Sequence, residues 1–174
     1  MQPLEVFEMS QRTKETLASP ELFRQRMKDG ESILDVFGFS TEAITGFYDA
    51  AVALMDEKRY KDASDAFYFL TVLVPNEPLF WLGTARSDWL EGNPTNALSS
   101  YLMAYGLQPM NTEVFLETLR CCVAVESLEC AHQLIHQALE LAASKPEDSE
   151  AEKLATAATT ANAELISHEN SRAQ

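Results

Sequence analysis

The feature that most constrains this chain is a pattern of small, aromatic and apolar residues that returns about every 34 residues. Ala63, Phe67, Leu70 and Pro75 form its first copy, in the stretch YKDASDAFYFLTVLVP. The second copy, in NALSSYLMAYGLQP, consists of Ala97, Tyr101, Ala104 and Pro109. The third copy, in CAHQLIHQALELA, consists of Ala131, Ile135 and Ala138, with Ala143 in place of the proline. A period of this length indicates a stack of similar supersecondary units.

Glycine and proline, only 6 and 7 residues of 174, lie between apolar-periodic segments. Helices joined by short turns follow from that placement. Ser40 is the expected N-cap of one helix, in which Ile44, Phe47, Ala51 and Leu54 recur at spacings of three and four. Further start and stop signals predict six helices in three hairpins, and these signals are Pro75, Pro78, Gly92, Asn93, Pro94, Asn111 and Ser127.

A 34-residue helical hairpin with small residues at fixed places is typical of the tetratricopeptide repeat. We therefore expect an all-α fold, with three such hairpins in a superhelical array, an N-terminal helical arm and a C-terminal capping helix. The predicted boundaries are 1–39 for the arm, 40–143 for the repeat domain and 144–174 for the capping helix and tail. Within the repeat domain the three repeats are 44–77, 78–111 and 112–143. The tail, HENSRAQ, is expected to be frayed or disordered.

Three residues of the second repeat depart from the usual pattern. Thr84 and Asp88 occupy positions that are ordinarily apolar, and Gly83 lies two places before the common glycine position. The structure must therefore explain how polar residues fit there.

The net charge of the chain opposes several kinds of partner. The chain has 27 acidic and 13 basic residues, a net charge of −14, and residues 41–143 alone carry 14 acidic and five basic ones. Such a balance opposes binding to nucleic acid and docking on anionic membranes. The sequence shows no secretory signal and no apolar run near the length of a membrane span. Its three cysteines form no disulfide framework. We therefore expect a cytoplasmic protein.

The first helices of the three hairpins would line the concave surface of such an array. Their residues that do not pack between helices, here called the predicted groove residues, are mostly apolar, which predicts a groove for an extended apolar peptide. The alternative is that some of them pack under the N-terminal arm or the C-terminal cap. The predicted groove residues are Thr45, Tyr48, Val52, Met55, Leu79, Leu82, Arg86, Trp89, Leu90, Leu116, Arg120 and Val123, with Asp56, Glu113 and Ala124 beside them.

Catalytic and metal-binding chemistry finds little support. His132 and His136 are four residues apart on one predicted helix with Cys130 nearby, but no further ligand motif accompanies them. Cys121 and Cys122 have the setting of small core residues. Glycine-rich phosphate loops and hydrolase or metalloprotease motifs are missing from the sequence, so we expect neither an enzyme nor a cofactor or metal.

Several segments resemble the class II chaperones of bacterial type III secretion, the LcrH, SycD and IpgC family. A glycine and an apolar turn precede the first repeat, an aromatic pair lies in its first helix, and a Y-x-D-A motif begins the second helix. FWLG opens the second repeat. These residues are Gly30, Ile33, Leu34 and Phe37, then Phe47 and Tyr48, then Tyr60, Asp62 and Ala63, then Phe80 to Gly83. The resemblance covers about residues 28–143, with the third repeat departing most.

The resemblance implies a cytoplasmic chaperone that holds hydrophobic translocator proteins in its groove before export. It implies groove contacts at Tyr48, Leu82 and Trp89. It also implies a homodimer formed through the arm, with Leu22, Phe23, Met27, Ile33 and Leu34 as candidate contacts. The alternatives are a general adaptor or scaffold, for which Arg86 and Arg120 would matter more than Trp89, and a regulator that binds another component.

Overall fold

The structure is a computed structural model that describes residues 10–172. The first nine residues of the predicted arm and the last two of the predicted tail lie outside the described residues. Within 10–172 the chain forms ten α-helices and no strand, which confirms the all-α prediction. The helices are α1 Gln11–Ala18, α2 Pro20–Lys28, α3 Ile33–Phe37, α4 Thr41–Asp56, α5 Tyr60–Leu73, α6 Pro78–Glu91, α7 Pro94–Leu107, α8 Thr112–Ala124, α9 Leu128–Ala143 and α10 Ser149–Arg172.

Six of these helices form the three expected hairpins. α4 packs on α5, α6 on α7 and α8 on α9, while α5 also packs on α6 and α7 on α8, so each hairpin contacts the next. The larger core cluster contains residues of all five helices from α6 through α10, and Tyr101 and Phe115 are fully buried in it. A smaller cluster around Phe67, Leu70 and Phe80 joins α4, α5 and α6.

Each hairpin turns through a residue in the left-handed backbone region. Lys58, Gly92 and Glu126 have φ of 60°, 87° and 57°, and they are spaced by the repeat length. Gly92 takes this conformation without strain, whereas a side chain at that position costs roughly 1 kcal/mol or more. The period therefore extends to backbone geometry as well as to side chains.

The predicted helix caps are partly realised. Ser40 and Asn111 accept hydrogen bonds from the backbone of the first turns of α4 and α8, as expected. Asn93 and Ser127 occupy the N-cap positions of α7 and α9, but their side chains make no capping bond. Their ψ angles of 68° and 71° differ from the extended 165° at Ser40, whose side chain does make the bond.

The irregular residues of the second repeat are accommodated by local hydrogen bonds. Thr84 is buried and its Oγ1 donates to the Phe80 carbonyl at 2.9 Å. The Ser64 Oγ donates to the buried Asp88 carboxylate at 2.6 Å. Both polar positions thus meet the requirement that a buried polar group has a partner.

The N-terminal arm contains a helix, α1, that the sequence did not predict. Its only buried residues are Thr13 and Thr16, so it carries no apolar stripe that periodicity could detect. The buried Arg26 of α2 donates to Thr16 Oγ1 at 2.8 Å and pairs with the Glu31 carboxylate. Tertiary hydrogen bonding to Arg26, rather than apolar burial, holds α1 in place.

Aromatic contacts attach the arm to the array. The Phe39 ring, between α3 and α4, lies 5.3 Å from the Phe47 ring and 6.2 Å from the Phe69 ring, both with an edge-to-face geometry. Such pairs add about 0.5–1.5 kcal/mol each beyond area burial. The arm is therefore fixed against the first hairpin.

The C-terminal helix is longer than expected. α10 begins after Asp148, whose carboxylate accepts the Glu150 backbone N–H at 2.9 Å, and it continues through Arg172. The expected fraying of HENSRAQ is wrong for residues 168–172, because the Glu169 carboxylate contacts His132 of α9 at 3.0 Å. α10 packs on α8 and α9 through a buried stripe of Ala151, Leu154, Ala158, Ala161 and Leu165.

Within residues 10–172, none of the helices is both long and apolar enough to cross a membrane.

Candidate peptide-binding groove

The first helix of the first hairpin presents a partly covered apolar surface. Tyr48 of α4 is half-buried, and its ring lies 5.8 Å from the Phe67 ring and 6.0 Å from the Phe80 ring. Val52 and Met55 also pack against this cluster while remaining half-exposed, and Thr45 is exposed. One side of α4 thus belongs to the core and leaves an apolar edge in solvent.

α6 departs from the prediction at one residue. Leu79 and Leu90 are 54% and 50% exposed, as a groove surface requires, but Leu82 is only 7% exposed and belongs to the larger core. The expected exposure of Leu82 is wrong because α6 lies between α5 and α7 and packs closely on both. Nearly every side of α6 is covered, so apolar spacing alone could not distinguish its core residues from its groove residues.

Trp89 and Arg120 connect the first helices of the second and third hairpins. Trp89 is partly buried against the larger core, and the Arg120 guanidinium lies 4.6 Å from the centre of its ring. This cation–π contact is worth roughly 0.5–1 kcal/mol at an exposed site. Arg120 therefore covers part of the indole face and links α8 to α6 through side chains.

Arg86 is engaged by two carboxylates of α8. Its guanidinium lies 2.7 Å from Glu113 and 3.2 Å from Glu117. Glu117 is also a neighbour of the buried Tyr101, where burial, with the Glu117 charge adding to it, raises the pKa of the hydroxyl above its ordinary value. The positive charge of Arg86 is thus already compensated inside the chain.

The groove surface continues into a cavity between α8 and α10, with a volume of about 570 Å³. Leu116 and Val123, two predicted groove residues, remain 45% and 37% exposed at its wall. The other lining residues are Leu119, Arg120, Ala124, Ala161, Glu164, Leu165 and His168.

The sequence did not predict that α10 contributes to this surface. The signal was present, since the buried stripe of α10 recurs at spacings of three and four from Ala151 to Leu165. That spacing predicts a packed helix, but it does not say which side of the array the helix covers.

A second cavity, of about 370 Å³, lies among α5, α6 and α7, and the residues that line it have polar side chains. Asp88 lines it with Asp65, Glu91, Asn93 and Lys61. Burial raises the pKa of the Asp88 carboxyl, although its hydrogen bond from Ser64 opposes the effect. Among the residues that the structure describes, no group of three or more His, Cys, Asp and Glu side chains could hold a metal ion.

The candidate dimer contacts are only partly available. Leu22 and Met27 of α2 are exposed, whereas Phe23, Ile33 and Leu34 are half-buried. Self-association through them stays a prediction.

No protein-family model and no curated protein sequence matches the chain. Solved structures do match. A type III secretion complex from Aeromonas hydrophila matches with a TM-score of 0.65 and 22% identity, over 88% of this chain and 99% of that chain. PcrH in complex with the chaperone binding region of PopD matches with a TM-score of 0.60 and 20% identity, over 76% and 97%.

The chaperone SycD of Yersinia enterocolitica, in complex with a peptide of the translocator YopD, matches with a TM-score of 0.58 and 21% identity, over 75% of this chain and 97% of that chain. At these identities the likeness establishes the fold. The chain has the helical-repeat fold of type III secretion translocator chaperones.

Proposed function

We propose that this protein is a cytoplasmic chaperone of type III secretion, which binds a hydrophobic translocator protein as an extended segment and keeps it competent for export. The observation that carries the proposal is the partly exposed apolar surface along α6 and α8, with Leu79, Leu90, Leu116 and Val123 on it, which leads into the cavity beside α10. PcrH, of the same fold, was crystallised with the chaperone binding region of PopD, and SycD with a peptide of the translocator YopD.

The state of the two groove arginines favours this function over that of a general adaptor for charged peptides. Arg86 is paired with Glu113 and Glu117, and Arg120 covers the face of Trp89. A peptide carboxylate would have to displace those partners and approach a strongly acidic chain. Apolar anchors meet no such opposition.

The energy available to a groove peptide is moderate. Three buried anchor side chains contribute about 1.5–3 kcal/mol each before the costs of ordering the peptide. This corresponds to roughly micromolar affinity at best for the isolated segment. Occupancy then follows mass action, and the client is released without covalent chemistry.

Capture of the client tests the proposal. Three proteins are compared in cytosol of the source bacterium: the wild type, a Leu90→Glu/Leu116→Glu variant, and a Val72→Glu/Met103→Glu variant. All four positions are exposed to a similar extent, but the last two lie on the second helices, α5 and α7. We expect the wild type and the second variant to capture a secreted protein with long apolar segments, and the groove variant to lose it.

Co-expression completes the test. The captured protein should be insoluble when expressed alone, soluble with the wild type, and insoluble with the folded groove variant. Capture of soluble, folded partners that survive the Leu90→Glu/Leu116→Glu change would instead identify an adaptor that binds elsewhere.

A further inference from the structure

The third hairpin brings two sulfur atoms together from its two helices. Cys122 lies in α8 and Cys130 in the first turn of α9, and the Cys122 thiol donates a hydrogen bond to the Cys130 sulfur at an Sγ–Sγ distance of 3.1 Å. The sulfur atoms of a disulfide are about 2.05 Å apart, so an approach of about 1 Å separates the contact from a bond. We propose that Cys122 and Cys130 form an intramolecular disulfide when the protein meets an oxidant.

The third cysteine is differently placed. Cys121 precedes Cys122 on α8, is fully buried in the larger core, and has no comparable contact with Cys130. Successive residues of a helix point about 100° apart, because 3.6 residues complete a turn. The geometry therefore selects one pair among the three thiols, and Cys121 serves as the internal control.

The two members of the pair have different access to solvent. Cys130 is partly exposed and Cys122 is fully buried. Burial raises the pKa of the Cys122 thiol, and its hydrogen bond to Cys130 adds to this effect. A buried, protonated thiol is a poor nucleophile toward a dissolved reagent. An oxidant in solution therefore reacts first at Cys130.

With hydrogen peroxide as the oxidant, the reaction balances in two steps. The Cys130 sulfur, as thiolate, attacks one peroxide oxygen, an S–O bond forms, the O–O bond breaks, and the departing hydroxide takes up a proton to leave as water. Cys122 then attacks the resulting sulfenic acid at sulfur. The S–S bond forms, the S–O bond breaks, and the leaving hydroxide takes the Cys122 proton. The two thiols lose two electrons, and the peroxide is reduced to two waters.

The bond would tie together the hairpin that carries part of the groove wall. α8 bears Leu116, Arg120 and Val123, and the disulfide would join it to α9 across eight positions of sequence. Closing the loop restricts the unfolded chain and raises Tm, by roughly 5–10 °C for a protein of this size. The inference depends on the geometry of the hairpin and not on the proposed function.

Thiol counting on the full-length native protein tests the proposal. The wild type, Cys121→Ala and Cys130→Ala are treated with hydrogen peroxide, then denatured and alkylated with N-ethylmaleimide. In the wild type we expect the number of reactive thiols to fall from three to one. Before alkylation the protein should lose about 2 Da, which is the mass of the two hydrogens removed. Cys121→Ala should fall from two thiols to none, and Cys130→Ala should keep two.

Peptide mapping without reductant identifies the linked cysteines, and a thermal scan shows whether reductant reverses the rise in Tm. A guanidinium-unfolded sample, in which any pair can oxidise, checks the oxidant. The proposal is overturned if the native wild type keeps three thiols under those conditions. A link that includes Cys121, a link between two chains, or a sulfinic acid on Cys130 without a disulfide would overturn it equally.

Discussion

At Gly83, α5 and α6 pack so closely that a side chain has no room. A Cβ built on Gly83 would overlap the ring of Phe67, which is buried beneath it. We therefore expect Gly83→Ala to lower the free energy of unfolding by about 1–3 kcal/mol, the usual cost of overpacking a core. Urea denaturation followed by circular dichroism measures the change.

Gly46 provides the matched control for Gly83. It also lies within a helix, α4, but apart from its chain neighbours and the backbone of the adjacent helical turns, no atom lies within 4 Å of a Cβ placed there. Gly46→Ala should raise the free energy of unfolding by up to about 1 kcal/mol through helix propensity. Equal effects of the two substitutions would mean that α5 and α6 can move apart at Gly83 without lowering the free energy of unfolding.

Asp88 makes stability depend on pH in a direction opposite to that of most carboxylates. Burial raises its pKa in the folded state, so across the window between the unfolded and folded pKa values the folded protein binds more protons than the unfolded chain. The contribution of Asp88 to the free energy of unfolding therefore falls as the pH rises through that window. The penalty is fully present once the pH lies above the folded pKa.

Asp88→Asn removes the charge and retains an oxygen that can accept from Ser64. We expect this variant to be more stable than the wild type at pH 7, by roughly 1 kcal/mol, with the difference shrinking as the pH is lowered toward 4. Denaturation at a series of pH values measures it, and the exposed Asp65→Asn is the control. A variant that is less stable at pH 7 would show that the ionised form is the favoured one.

At the scale of elements, α10 is part of the core and not an appendage. Leu154 is fully buried between α10 and the third hairpin, whereas Ile166 on the same helix is 45% exposed. Leu154→Ala should lower the free energy of unfolding by about 2–5 kcal/mol through lost burial and the cavity left behind. Ile166→Ala should change it by less than about 0.5 kcal/mol.

Chemical denaturation of both α10 variants measures these differences. The same dependence of the free energy of unfolding on denaturant concentration is used for both variants. If Leu154→Ala proves as mild as Ile166→Ala, then α10 does not pack on the third hairpin in solution. The cavity beside α8 would then have no second wall.

The elements also show where the sequence was sufficient. Helices α4 to α9 follow from a repeat in which local signals and the global pattern agree, so Ser40, Pro78, Gly92 and Asn111 fall where the structure places helix ends. α1 could not be predicted, because the contact that orders it is made by Arg26 of the next helix, ten residues after Thr16. Leu82 could not be placed, because a helix covered by both neighbours has no single apolar face.

For the whole molecule, the prediction concerns self-association through the arm. Leu22 and Met27 expose apolar surface on α2, and a second copy would cover it. We expect the Leu22→Glu/Met27→Glu variant to sediment as a monomer at concentrations at which the wild type is dimeric, because introduced charges would face each other across the interface.

Ile166→Glu, a change of the same kind on α10, is the control for the arm variant and should leave the sedimentation of the wild type unchanged. A wild type that is monomeric at every concentration would remove the arm as an interface. A dimer that withstands the Leu22→Glu/Met27→Glu change would place the interface elsewhere on the chain.

The position of α10 in the chain has a consequence for synthesis. The ribosome makes α8 and α9 before the helix that covers them, and at about 5–20 residues per second the 24 residues of α10 take roughly 1–5 s to produce. During that interval the buried stripe of α10, from Ala151 to Leu165, is not yet in place to cover α8 and α9. A protein proposed to shield other chains from aggregation thus passes through a brief period in which its own nascent chain needs the same shielding.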